Sequence, residues 1–204
     1  MNANHMDEPI EAVLFDLDGV LVHSPLDLAA IKKELFGDSS LFIIEGLEAL
    51  PPDERSAKQA LLMQREMEAA ALAELDPAAE SLFAWLDLNG IKRGVITRNS
   101  REVVRAIAER LRVDFGVVIG REDAPAKPDP LSVLTACDLL AVRAEASVMV
   151  GDYIFDIEAG RNAGCRTVFL ETDRFRHLEL DADVRIASLS ELRDVLEKWM
   201  DGSC

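Results

Sequence analysis

Two aspartates one residue apart, Asp16 and Asp18, end the apolar run Val13-Leu14-Phe15 and are followed by Gly19. A strand alternates its side chains, so residues two apart project to the same side, and Gly19 lets the backbone turn closely there. One carboxylate of such a pair can attack an electrophile while its neighbour handles a proton. Three segments far along the chain bring complementary groups. They are the hydroxyl of Thr97, the ammonium of Lys127 in Ala126-Lys127-Pro128-Asp129-Pro130, and the carboxylates of Gly151-Asp152 and Asp156.

Asp152 ends a second apolar run, Val148-Met149-Val150-Gly151, so two acidic strand ends are expected to lie together. Carboxylates at such separation repel by roughly a few kcal/mol per pair at an effective dielectric near 20, and a divalent cation relieves the repulsion. Oxygen ligands without a histidine or thiolate cluster point to magnesium, held by Asp16, the backbone carbonyl of Asp18, and Asp152. Such a site suits phosphoryl transfer, in which negative charge on the equatorial oxygens needs cations and donors around it. Thr97 and Lys127 would supply these, and Asp18 would protonate the leaving alcohol and later activate water. Taken singly, Thr97 is also an ordinary strand-end hydroxyl, Lys127 a loop cation and Asp156 a helix cap. Their joint order carries the reading.

The elements that must hold these groups alternate short apolar runs with helical segments, the pattern of a parallel sheet covered by helices. Strands are expected at Ala12 to Asp16, Gly94 to Thr97, Val117 to Ile119, Ser147 to Gly151 and Arg166 to Leu170. Helices are expected from Asp76-Pro77 to Asn89-Gly90, from Ser100 to about Leu111, from Pro130, from Asp156 to Ala163 before Gly164, and from Ser190 through Met200. The fold class is therefore α/β, a doubly wound parallel sheet. Between the first two strands, Leu26 to Leu75 is too long for a simple connection. It holds a helix from Leu26 to Phe36, a Gly37-Asp38-Ser39-Ser40 turn, a short segment after Ile44, Pro51-Pro52 and a long helical stretch from Asp53. This reads as a small helical cap, residues 25–75, over a core of residues 11–24 and 76–204.

Composition works chiefly by exclusion. The 204 residues, 49% hydrophobic, suffice for one good core and a small accessory unit. A net charge of −16 without a basic stripe argues against a nucleic-acid partner. Cys137, Cys165 and Cys204 lack metal or disulfide spacing, and His5, His23 and His177 are scattered. No apolar run reaches a membrane span of ~20 residues. Met1 to Glu8 is polar and expected to fray rather than serve as a secretory signal. The expectation is a cytoplasmic protein with reduced thiols acting on a small phosphorylated metabolite; oligomeric state is left open.

The motifs Asp16-Leu17-Asp18-Gly19-Val20, Thr97-Arg98-Asn99, Lys127, and Gly151-Asp152 with Asp156 resemble, in this order, those of the haloacid dehalogenase superfamily of hydrolases, over about Glu11 to Met200. The resemblance implies a Rossmann-like core with a helical cap like that of phosphoglycolate phosphatases. It makes Asp16 nucleophile and metal ligand, Asp18 acid and base, Thr97 and Lys127 phosphate donors, and Asp152 a metal ligand. Asp156 would steady the metal's water shell, and Gly19, Arg98 and Asn99 would contact substrate. Asp18 argues against the dehalogenases and phosphonate-cleaving relatives. Val20 leaves phosphatase and sugar-phosphate mutase both open, with candidate cap cations at Lys32, Lys33, Arg55, Lys58 and Arg65. A phosphoaspartate signalling switch is a third reading, and Arg174-Phe175-Arg176-His177 a candidate substrate edge.

Overall fold

Residues 8–202 are described by a computed structural model. The chain runs β1 (Ala12–Phe15), β2 (Val22–His23), α1 (Leu28–Phe36), α2 (Ile43–Glu48), α3 (Pro52–Ala70), β3 (Glu74–Leu75), α4 (Ala79–Leu88), β4 (Lys92–Ile96), α5 (Arg101–Leu111), β5 (Val117–Ile119), α6 (Leu131–Leu140), β6 (Ser147–Gly151), α7 (Ile154–Ala163), β7 (Arg166–Leu170), β8 (Val184–Ile186) and α8 (Leu192–Met200). Six strands form one sheet in the order β5-β4-β1-β6-β7-β8, every neighbouring pair parallel.

The strands are apolar throughout because both faces of the sheet are covered. Val13, Phe15, Val148 and Val150 pack on one side against Leu82 and Phe83 of α4, Val103 and Ile107 of α5, and Leu196 and Trp199 of α8. Leu14, Ile96 and Met149 pack on the other against Val133 and Cys137 of α6 and Ala159 of α7. Helices thus lie on both sides of the sheet, the doubly wound arrangement expected. Burying a side chain such as Phe15, fully enclosed, contributes about 1.5–3 kcal/mol.

The connection after β1 leaves and returns through a fixed gateway. β2 and β3 pair antiparallel, Val22 with Leu75 and His23 with Glu74, so both ends of the helical segment are held side by side. Within it Asp27 caps α1 by accepting from the backbone of Ala29 and Ala30, and Gly37 ends that helix. Ile31, Leu35, Leu47 and Leu62 give α1, α2 and α3 a small core of their own. Arg98 ties this segment to the sheet side through Glu45, at 2.7 Å, and Arg121 does so through Glu66, at 2.5 Å.

Several details depart from expectation. β8 carries no strand signal in the sequence, because Val184-Arg185-Ile186 offers only three residues, the middle one an arginine paired with Glu171. The last helix begins at Leu192 rather than Ser190, with Glu191 at its N-cap; Ser190 lies in a preceding 3₁₀ turn, Leu189–Glu191, which Ser188 caps by accepting from the Ser190 amide. α7 begins two residues before Asp156. Of the N-terminal segment expected to fray, residues 1–7 lie outside the described residues, as do His5 and Cys204. Glu8 lies within them, its carbonyl accepting from Arg166 and its carboxylate paired with Arg143. Among the described residues no helix is long and apolar enough to cross a membrane.

Candidate active site

From β1 the strand order grows in both directions, to β4 and β5 on one side and to β6, β7 and β8 on the other. In an open α/β sheet a crevice forms outside the carboxyl ends of the strands where the winding reverses. Asp16 and Asp18 leave β1 at that place, Thr97 leaves β4 and Asp152 leaves β6. With Gly19, Arg98, Asn99, Lys127 and Asp156 they line one cleft of about 790 Å³. All the residues singled out from the motifs are therefore brought together.

Lys127 is the pivot of the charges. Its side chain is 2% exposed, and its Nζ lies 2.6 Å from Asp16 Oδ1 and 2.6 Å from Asp156 Oδ1, while donating to the Ile96 carbonyl at 2.6 Å. Burial pulls its pKa down, but Asp156 and Asp16 outweigh burial and hold it above its ordinary value. The other oxygen of Asp156 accepts from the Tyr153 amide at 3.0 Å. Asp156 is thus committed on both oxygens, to Lys127 and to the first turn of α7.

Asp18 is turned the other way. Its carboxylate accepts from Ser24 Oγ at 3.2 Å and from Asn99 Nδ2 at 2.6 Å. Burial raises its pKa against those two donors, which favours the protonated form. Ser24 reaches it because the chain folds back at once: Gly19 donates to the Val22 carbonyl and Val22 to that of Leu17. Thr97 Oγ1 accepts from the Asn99 amide at 3.1 Å, which fixes the hydroxyl at the tip of β4.

Asp16, Asp152 and Asp156 each offer an oxygen, all within 4.8 Å of one another. An all-oxygen donor set of this kind fits magnesium. Burial, opposed by Lys127 and reinforced by the charges of neighbouring aspartates, raises Asp16 to about 7 and Asp152 to about 8. A crowded acidic site with too little positive charge of its own behaves in this way. The Asp18 side chain lies outside this group.

Two motif residues use their side chains in ways the sequence does not reveal. Arg98 forks onto both oxygens of Glu45, at 2.7 and 2.8 Å, and donates to the Lys127 carbonyl at 2.5 Å. Its guanidinium therefore braces α2 against the lysine loop. Asn99 serves Asp18, as described above. Thr172 was not singled out, yet its hydroxyl donates to Asp152 Oδ2 at 3.3 Å. Ser24 and Thr172 carry no motif; a hydroxyl close in sequence to Asp18 is the sole signal for the first, and none exists for the second.

Comparison with known proteins agrees with this geometry. Residues 35–170 match the family described as haloacid dehalogenase-like hydrolase. A hydrolase of Saccharomyces cerevisiae is 32% identical over 200 residues, 92% of this chain and 91% of its own. A phosphoglycolate phosphatase of Pseudomonas putida is 26% identical over 216 residues, 93% of this chain and 79% of its own. The crystal structure of CbbY from Rhodobacter sphaeroides in complex with phosphate has a TM-score of 0.72 at 23% identity, covering 90% of this chain and 96% of that one. With the acidic strand ends, the buried lysine and the helical segment after β1 in place, the chain belongs to the haloacid dehalogenase-like hydrolases and is similar in sequence to phosphoglycolate phosphatases.

Proposed function

We propose that the protein is a magnesium-dependent phosphatase that hydrolyses a phosphate monoester of a small metabolite through a phosphoaspartate on Asp16, in the cytoplasm. The observation that carries the reading is the division of labour between Asp16 and Asp18. One is bound to the buried ammonium of Lys127 and grouped with Asp152 and Asp156; the other is held apart by Ser24 and Asn99. Buried thiols at Cys137 and Cys165, both free, support a reducing compartment.

An oxygen of Asp16 attacks phosphorus, the P–O bond to the leaving alcohol breaks, and Asp18 gives that oxygen its proton. Water then attacks the aspartyl phosphate while Asp18 takes the proton back, releasing inorganic phosphate and restoring Asp16. Lys127 and the Thr97 hydroxyl face the charge on the phosphoryl oxygens. Asp16, the Asp18 backbone carbonyl and Asp152 would hold magnesium and Asp156 would steady its water shell; the ion, when bound, would neutralise the carboxylates and the transferring phosphoryl group. The helical segment 25–75 acts as a cap over the cleft.

Release of inorganic phosphate from p-nitrophenyl phosphate, measured with magnesium, with EDTA and with Asp16→Asn, tests the reading. Multiple turnovers that need magnesium and vanish in the variant are expected. A single burst of acyl phosphate without recycling would sink the phosphatase reading in favour of a switch. Retention of the phosphoryl group until a sugar phosphate accepts it would favour a mutase.

A further inference from the structure

The cleft is larger than the phosphoryl chemistry requires. About 790 Å³ lies within the range, roughly 300–1,000 Å³, that encloses a drug-sized molecule. One wall is a row of rings. Phe42, at the start of α2, lies 5.0 Å from Phe155; Phe155 lies 5.0 Å from Tyr153; and Tyr153 lies 4.6 Å from Phe175, centroid to centroid. The chain has eight phenylalanines, two tryptophans and one tyrosine. Four of these eleven rings, the tyrosine among them, line this one cleft. A core would absorb such rings entirely, yet Phe42 is 42% exposed and the other three are half-buried.

The middle of the row adjoins the acidic group. In Gly151-Asp152-Tyr153-Ile154-Phe155-Asp156 two of the rings lie between two carboxylates of the acidic group, and both line the same cleft as Asp16, so the leaving group of a phosphate ester at Asp16 has these rings within its cleft. Both ends of the row carry a cation. Lys32 Nζ lies 5.2 Å from the Phe42 centroid and Arg174 Cζ 4.8 Å from that of Phe175. Neither forms an ion pair with a carboxylate among the described residues, where sixteen pairs are formed by other groups. In a cleft whose lining holds more carboxylates than cations, these two place local positive charge at the ends of the row.

We infer that the leaving alcohol of the substrate carries a planar aromatic or heteroaromatic ring, seated against the row Phe42, Phe155, Tyr153 and Phe175. The inference rests on the phosphatase reading and narrows its substrate class. Flat faces and edges of the four rings offer the offset and edge-on contacts that aromatic rings prefer. A saturated ring of the same size fills the volume but gains none of that directional attraction.

Benzyl phosphate and cyclohexylmethyl phosphate test this, since both are esters of a primary alcohol and differ chiefly in the ring. With magnesium, kcat/KM for benzyl phosphate is expected to exceed that for the saturated ester about three- to tenfold. Phe155→Leu and Phe42→Leu should each bring the ratio towards one. Equal kcat/KM for the two esters, both releasing phosphate, would overturn the ring inference and leave the phosphatase reading standing. If neither ester nor p-nitrophenyl phosphate is hydrolysed, the phosphatase reading falls. Calorimetric binding of the same two esters then decides: tighter benzyl binding lost in both variants upholds the ring, and equal affinities overturn it.

Discussion

Gly19 and Asp152 are in contact across the two acidic strand ends: a Cβ on Gly19 would stand 2.4 Å from Asp152 Oδ2, and Gly19 has φ +86°. Two costs therefore meet at this position, a backbone conformation that L-residues avoid and a displaced carboxylate. Gly37 separates them, because its φ is +72° but nothing lies within 4 Å of its Cβ position. Gly37→Ala is expected to lose only the backbone contribution, roughly 1–2 kcal/mol, with turnover intact. Gly19→Ala is expected to lose turnover at least tenfold as well, and to need more magnesium for half-maximal rate. Equal effects of the two substitutions on turnover would show that Asp152 tolerates the shift.

Lys127 keeps Asp16 and Asp156 from facing each other unneutralised. Removing one partner of a buried ion pair costs about 3–5 kcal/mol, because the remaining charge stays buried. Lys127→Met fills the volume without the charge and is expected to destabilise the protein by about 3 kcal/mol in EDTA. The deficit should be smaller in magnesium, which returns positive charge to the same carboxylates. Urea unfolding under both conditions checks this, and a deficit independent of magnesium would mean that the ion does not bind beside Asp16.

Magnesium should stabilise the folded chain, since the unfolded chain lacks the assembled carboxylates. At about 100 times its Kd a ligand contributes about 2.7 kcal/mol. For a protein of this size each kcal/mol moves Tm by about 2–4 °C. A rise of roughly 5–11 °C is therefore expected, and it should be mostly lost in Asp152→Asn. Calorimetric scans with magnesium and with EDTA read it directly; an Asp152→Asn protein with the full rise would remove Asp152 from the ligand set.

The strand ends were legible because a parallel sheet covered on both faces leaves continuous apolar runs, each stopping where a residue of the candidate site begins. Asp16, Asp18, Thr97 and Asp152 all follow from that. Side-chain direction beyond the strand ends was not legible. Arg98 and Asn99 sit where a phosphate contact is expected, yet Arg98 is claimed by Glu45, 53 residues away, and Asn99 by Asp18, 81 residues away. No local pattern encodes such pairings, because they depend on where the helical segment comes to rest. β2 and β3 escaped for a related reason: two residues each are too few for a period, and their pairing exists only once the segment between them has folded.

Glu66 offers a pH test outside the metal group. It projects from α3, 5% exposed, with Oε1 2.5 Å from Arg121 and Oε2 without a hydrogen-bond partner among the described residues. Burial raises its pKa above the ordinary 4.5, Arg121 pulls it back, and the charges of Asp18 and Glu122 push it up again. The folded value thus lies above the unfolded one. The stability contributed by the neutral carboxyl is complete below about 4.5 and is lost as pH rises through the folded value. Glu66→Gln cannot ionise and lacks this dependence. Wild type should therefore lose stability relative to Glu66→Gln as pH rises from about 4.5 through the folded value in matched urea titrations. A relative gain instead would mean that the Arg121 ion pair outweighs burial, and the carboxylate would then act as a charged brace between α3 and the sheet.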